Sequence, residues 1–119
     1  MQAISNSVYS AVKPGRLLGD SLECIRAFPA AIRLEVGYQI ETLQRGGQPS
    51  DFKPMPTIGA GVEEIRIRSG LGAYRVIYAA RMADGIFILH AFQKKSRGTS
   101  KLDLQIARTR FNQLKRLPS

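Results

Sequence analysis

The sequence predicts an α+β fold in which a small antiparallel β-sheet of three to four strands is flanked by two N-terminal helices and one C-terminal helix. Changes in the hydrophobic period carry this prediction. Apolar residues recur at helical spacing up to Leu43, alternate with polar residues from Val62, and return to helical spacing from Leu104. Helices, then a run of strands, then a helix are typical of an antiparallel α+β domain.

The N-terminal half is predicted to hold one short strand, near residues 16–18, and two helices. Asp20 or Ser21 can begin the first helix, because their side chains accept hydrogen bonds from free backbone N–H groups. Pro29 suits the first turn of the second helix. The residues that share one face of this second helix are Ile32, Val36, Ile40 and Leu43. A glycine pair ends it, and the proline- and glycine-rich residues 48–61 are predicted to form a loop.

Three strands and a helix are predicted in the second half. Residues 62–68 alternate between apolar and charged side chains, and residues 74–80 form the next strand. Residues 86–92 are apolar at nearly every position, which predicts a central strand covered on both faces. Ser100 can cap the last helix, with Asp103 three residues on in a near capping-box position. Its predicted buried stripe is Leu104, Ala107, Phe111 and Leu114.

Length and composition limit the classes of protein that are possible. The 119 residues predict a single domain over 1–119, with residues 1–15 as a loosely ordered extension. One cysteine and one histidine exclude a disulfide within the chain and a zinc site within it, so no metal or cofactor is expected. Without a signal-peptide pattern or a run of roughly 18 apolar residues, we expect a cytoplasmic protein that does not enter the membrane.

Charge points to a polyanionic partner. The chain has 18 basic and 9 acidic side chains, a net charge of +9, and residues 61–119 carry a net +8 of it. Such asymmetry in one domain predicts a localised basic surface. The alternative is a generally basic protein with scattered, solvated cations.

The geometry of a strand brings several of these cations together. Arg66 and Arg68 are two residues apart and therefore project from one face, opposite Ile65 and Ile67. A short turn should bring Arg75 beside them. Lys94 and Lys95 leave the end of the last strand nearby, so that one face or edge of the sheet would hold five cations. This predicts phosphate binding with little sequence specificity.

Three further side chains have two possible roles each. Arg75 lies in an otherwise apolar strand, where an arginine is costly unless it is paired or functional. His90 lies in the apolar run, and a buried structural histidine is favoured over a general acid. Glu64 shares a face with Arg66 and Arg68, and we favour a charge partner over a proton acceptor.

Several stretches resemble the phage-derived RelE/HigB-like toxin family, a branch of the RelE/ParE superfamily. The stretches are residues 61–67 (GVEEIRI), 74–78 (YRVIY) and 88–96 (ILHAFQKKS), with 18–22 (LGDSL) and 27–29 (AFP) upstream. The similarity covers about residues 16–115. It implies a small antiparallel sheet flanked by helices, cleavage of mRNA on the ribosome, and neutralisation by a cognate antitoxin, often a helix-turn-helix protein.

The resemblance also implies roles for individual residues. Arg75 matches the arginine that contacts the scissile phosphate in the family, and the supporting catalytic positions match Arg66, Lys94 and Lys95. The cations and histidine expected to bind RNA are Arg68, Arg97, Lys101 and His90. Glu64 stands where some RelE-like toxins carry a lysine, and the tyrosine that those toxins place in the last helix has no counterpart here.

The function that these observations favour is a toxin-type, metal-independent endoribonuclease. The 2′-hydroxyl of the RNA would attack the adjacent phosphorus while cations stabilise the charge on the phosphate oxygens. Two alternatives remain open: a ParE-like protein that inhibits DNA gyrase without cutting RNA, and a nucleic-acid-binding module without catalysis. Cleavage of mRNA that depends on translation would separate the first from both.

Overall fold

The computed structural model describes residues 13–82, 85–95 and 97–116 and confirms the predicted α+β class, with two helices in the N-terminal half and one helix after the last strand. The helices are α1 (Ser21–Arg26), α2 (Ala30–Gln44) and α3 (Lys101–Lys115). The strands are β1 (Gly15–Leu17), β2 (Phe52–Pro54), β3 (Val62–Ser69), β4 (Gly72–Met82) and β5 (Gly85–Lys94). In these ranges no helix has both the length and the apolar character to cross a membrane.

The strands form one five-stranded sheet in the order β1-β5-β4-β3-β2. The antiparallel meander of β3, β4 and β5 is as predicted, but the sheet has more strands than expected. Residues 52–54, predicted as loop, pair with β3, and Pro54 is tolerated because β2 is an edge strand. β1 pairs with β5 in parallel, so β4, and not β5, is the central strand.

The two faces of the sheet pack against different helices. On one face, side chains such as Ile65, Val76 and Tyr78 pack against α1 and α2. On the other, Ile77, Phe87 and Leu89 pack against α3. Residues 85–91 are all buried because both faces of β5 are covered, which explains the apolar run. The residues of α3 that form its buried stripe are Ala107, Phe111 and Leu114.

Local chemistry fixes the ends of the helices. Ser100 caps α3, since its Oγ accepts a hydrogen bond from the Asp103 N–H at 3.1 Å, as predicted. α2 ends before Gly46, whose φ of 88° lies in the left-handed region that glycine tolerates. At the start of the described chain, the Lys13 N–H donates to the carbonyl of Gln44 (2.8 Å) and the Ile86 N–H to that of Pro14 (2.9 Å). Residues 1–12 of the predicted extension lie outside the described residues.

Candidate active site

Polar side chains of three neighbouring strands share the face of the sheet that α3 covers. Residues opposite each other in antiparallel strands project to the same side, with Cβ atoms roughly 5 Å apart. The three cross-strand rows are Glu64–Ile77–His90, Arg66–Arg75–Phe92 and Arg68–Ala73–Lys94. Exposure increases along the face: the first row is buried, whereas the third carries an exposed Arg68 and a half-buried Lys94. The first row therefore lies under the start of α3, and the third borders solvent.

The first row is closed by hydrogen bonds to the start of α3. Thr99 Oγ1 donates to Glu64 Oε2 at 2.8 Å. His90 Nε2 lies 2.7 Å from Asp103 Oδ1, and Ser100 Oγ donates to the other Asp103 oxygen at 2.6 Å. His90 is 5% exposed, and its Nδ1 has no partner among the described residues. It is thus buried and hydrogen-bonded, which is the arrangement of a structural histidine, although the residue also lines a depression beside α1.

Arg75, the predicted principal phosphate contact, is only 3% exposed. Its Nε lies 3.6 Å from Glu64 Oε1, and its Nη1 donates to the Tyr74 carbonyl at 3.0 Å. Burial lowers the pKa of Arg75, the attraction of Glu64 raises it, and the nearby cations Arg66 and Arg68 lower it further.

The partner of Glu64 corrects one expectation. Glu64 was expected to pair with Arg66 and Arg68 along its own strand, but the described ion pair is with Arg75 on the next strand. The cross-strand register explains the choice. Because Arg75 is opposite Arg66, it is the diagonal neighbour of Glu64, within reach of a long side chain.

Arg66 is the cation in the second row without a charged partner in the described chain. Its side chain is half-buried, and its Nε is shielded from solvent with no hydrogen-bond partner among the described residues. Its backbone N–H donates to the Asp51 carbonyl at 2.9 Å, which ties β3 to the residue before β2. The half-buried guanidinium group of Arg66, opposite a second arginine, is suited to an anionic ligand.

The remaining predicted cations divide between two locations. Lys94 shares a face with Arg66 and Arg75, whereas Lys95 lies one residue beyond β5, so the expected set of five cations on one face is reduced to four. Arg97 and Lys101 are exposed near the start of α3. A depression of about 210 Å³ lies between the end of β5 and the start of α3; its lining includes Lys94, Lys95, Gly98, Ser100 and Asp103.

Sequence reasoning missed two residues that build the site. Thr99 donates a hydrogen bond to Glu64 although 35 positions separate the two residues, and no local sequence pattern predicts this contact. Arg110 donates to the Leu89 carbonyl at 2.9 Å and to Asp20 Oδ1 at 2.8 Å, so it links α3 to β5 and to the start of α1. The hydrogen bond from Arg110 lowers the pKa of Asp20. The Ser100–Asp103 spacing did reveal the cap, but not the bond from Asp103 to His90.

The arrangement can bind phosphate through a cluster of guanidinium and ammonium groups. Across residues 13–82, 85–95 and 97–116, no three His, Cys, Asp or Glu side chains are grouped as metal ligands would be. Fold and site together define a small α+β protein with a cationic sheet face beside a capped helix.

The chain belongs to the Gp49-like family of phage-derived proteins (DUF891), whose family model matches residues 23–112. This is a RelE-like, toxin-like family. The matched range includes all three rows of the site and most of α3. No protein with a curated description is similar enough to this chain to count as a match.

Proposed function

We propose that this protein is the toxin of a type II toxin–antitoxin system and cleaves mRNA on the ribosome as a metal-independent endoribonuclease. The observation that carries the proposal is the cluster of Arg66, Arg75, Arg68 and Lys94 on one sheet face, with one guanidinium nitrogen left without a partner in the described chain. Membership of a toxin-like family supports it.

The chemistry needs no nucleophile from the protein. The 2′-oxygen of the RNA forms a bond to the adjacent phosphorus, and the bond from phosphorus to the 5′-oxygen of the next nucleotide breaks. The proton leaves the 2′-hydroxyl and one is gained by the departing 5′-oxygen, which yields a 2′,3′-cyclic phosphate and a 5′-hydroxyl. Negative charge grows on the non-bridging phosphate oxygens, and fixed cations stabilise it more strongly there than in the ground state.

Arg66 and Lys94 are half-buried rather than covered, so an incoming phosphate can reach both of them, and the exposed Arg68 lies further out on the same face. Arg75 lies between them in the cross-strand arrangement and is held by Glu64. A phosphate oxygen that enters between Arg66 and Lys94 competes with the Glu64 carboxylate for the Arg75 guanidinium. Arg75 then acts as the principal clamp on the transition state.

The partners follow from the same proposal. The ribosome presents the mRNA and aligns the 2′-hydroxyl with the scissile bond, so that the protein contributes mainly charge stabilisation. A cognate antitoxin, expected to be a helix-turn-helix protein, neutralises the toxin. Lys95, Arg97 and Lys101 are exposed and supply further contacts to the RNA backbone.

Replacing Arg75 by lysine tests the clamp. Lysine keeps the charge but cannot offer two parallel N–H donors to phosphate, so we expect RNA affinity to be largely retained while cleavage falls about a hundredfold. The measurement is primer extension on a defined mRNA in a reconstituted translation system, with and without active ribosomes. Arg45→Ala is the matched control: it removes a charge from an exposed arginine at the end of α2, paired with Glu41.

The outcomes separate the alternatives. Cuts that appear only during translation, and that weaken in Arg75→Lys but not in Arg45→Ala, support the proposal. Near wild-type cleavage by folded Arg75→Lys removes Arg75 from the chemistry. Gyrase-dependent DNA breakage without RNA cleavage would identify the ParE-like alternative, and RNA binding without either would identify a module without catalysis.

A further inference from the structure

A second depression lies at the free edge of β5, on the side of α1. Within the described residues, β1 pairs with Ile86–Ile88, so beyond that point β5 has no described strand on this edge and α1 packs beside it instead. The depression has a volume of about 560 Å³. Its lining includes Cys24, Phe28, Tyr74, Phe92, Gln93 and Lys95. We name it the β5 groove.

The β5 groove is continuous with the candidate active site. Phe92, Gln93 and Lys95 line both this groove and the cationic depression beside Lys94 and Ser100. Successive residues of an extended strand point to opposite sides, so the end of β5 offers cations to both depressions. A nucleotide whose phosphate sits beside Lys94 therefore lies next to the mouth of the groove.

The residues that line the groove favour one kind of ligand over others. Phe28 and Tyr74 are buried and pack against each other with ring centroids 4.8 Å apart, and the half-buried Phe92 is the aromatic residue of the lining that remains partly exposed. Gln93 is exposed and its amide can both donate and accept hydrogen bonds, as the edge of a nucleobase requires. Lys95 adds a cation, and the lining contains no carboxylate. An apolar protein side chain would need neither the amide nor the cation.

We propose that the β5 groove binds one unstacked nucleobase of single-stranded RNA, next to the phosphate held by Arg66 and Lys94. This inference rests on the proposed function, because that function supplies the RNA. The base stacks on the half-buried Phe92 and its edge meets Gln93, so the groove contributes the sequence preference that the cationic face lacks.

The protein carries its own probe of the groove. Cys24 is the one cysteine of the chain and is half-buried in the lining. Burial raises the pKa of its thiol, so alkylation by iodoacetamide is best followed at mildly alkaline pH. We expect an adenosine or uridine RNA octamer to slow alkylation of Cys24 at least about fivefold, because stacking of a base excludes the reagent. An abasic octamer with the same phosphates should not protect.

A groove-filling variant supplies the second measurement. Ala27→Leu places a larger side chain in the groove at an exposed position, and Ala60→Leu makes the same change at an exposed turn residue before β3, outside the groove. Ala27→Leu should bind the octamer about tenfold more weakly, the loss of one stacked base. The dependence of affinity on salt should not change, because a base releases no counterions. Ala60→Leu should bind as the wild type does.

Each result decides the proposal. Octamer binding without protection of Cys24, equal protection by the abasic strand, or no binding at all would overturn the groove as a base site. Protection of Cys24 from alkylation is measured on the wild-type chain, so this test remains valid even if Ala27→Leu is poorly folded. If translation-dependent cleavage is absent while bases still protect Cys24, the proposed nuclease function is wrong and the base site is supported. If cleavage is present but bases do not protect Cys24, the nuclease function is supported and the base site is wrong.

Discussion

At the scale of single residues, the buried pair of Arg75 and Glu64 is the feature on which stability and function both depend. Their side chains are 3% and 4% exposed, so each charge compensates the other, which would otherwise be buried without a partner. We expect Glu64→Ala to lower the free energy of unfolding by about 3–5 kcal/mol, because Arg75 then lacks its partner. Urea denaturation followed by circular dichroism measures this loss.

An exposed ion pair provides the comparison. Glu41 pairs with Arg45 at 3.1 Å, but both side chains are more than half exposed. Glu41→Ala should therefore cost less than about 1 kcal/mol. Equal losses for the two variants would mean that the Arg75–Glu64 pair is solvated in solution and that the buried geometry is not what holds Arg75.

The same pair shows what a sequence can predict at this scale. Arg75 stands out because an arginine in an apolar strand demands a partner or a role. Glu64 could be named only as a possible partner, because its choice depends on the register that sets Arg66 opposite Arg75. Thr99 completes the contact from a loop far along the chain, where no periodic pattern connects it to Glu64.

At the scale of elements, the capped start of α3 organises the first row of the site. Ser100 both accepts from the Asp103 N–H and donates to the Asp103 carboxylate, whose other oxygen meets His90. Ser100→Ala should lower the free energy of unfolding by about 1 kcal/mol, the usual value of an N-cap. Thr109→Ala removes a hydroxyl from the exposed middle of the same helix and should cause no loss, since alanine is the better helix former. Equal urea midpoints for Ser100→Ala and the wild type would contradict the capping role.

The longer helices and strands, the short strand β1 and the short helix α1 were predicted from the sequence, whereas β2 was not. α2, α3 and β3–β5 each contain enough residues to show their spacing, and the structure has all of them. β2 has three residues, among prolines that favour a loop, and forms because β3 offers it an unpaired edge. The parallel pairing of β1 with β5 likewise arises from contacts distant in sequence.

At the scale of the whole molecule, the asymmetry of charge along the chain becomes an asymmetry between the two faces of the sheet. The strongly basic second half supplies β3, β4, β5 and α3, whose shared face carries Arg66, Arg68, Arg75 and Lys94. The nearly neutral first half supplies α1 and α2, which cover the opposite face. A polyanion should therefore meet one side of the molecule.

The salt dependence of RNA binding tests whether the binding surface is confined to that side of the molecule. Each phosphate neutralised on single-stranded RNA changes the slope of log K against log salt by about 0.7. Arg66→Ala combined with Lys94→Ala should thus flatten the slope for a uridine octamer by about 1.4 units. The matched pair Arg33→Ala and Arg45→Ala removes the same net charge from an exposed position of α2 and from the exposed residue that follows it, and should leave the slope nearly unchanged because α2 packs against the opposite face. If both pairs flatten the slope equally, the RNA responds to the net charge of +9 and not to a binding face, and the cationic cluster loses its assignment as the phosphate site.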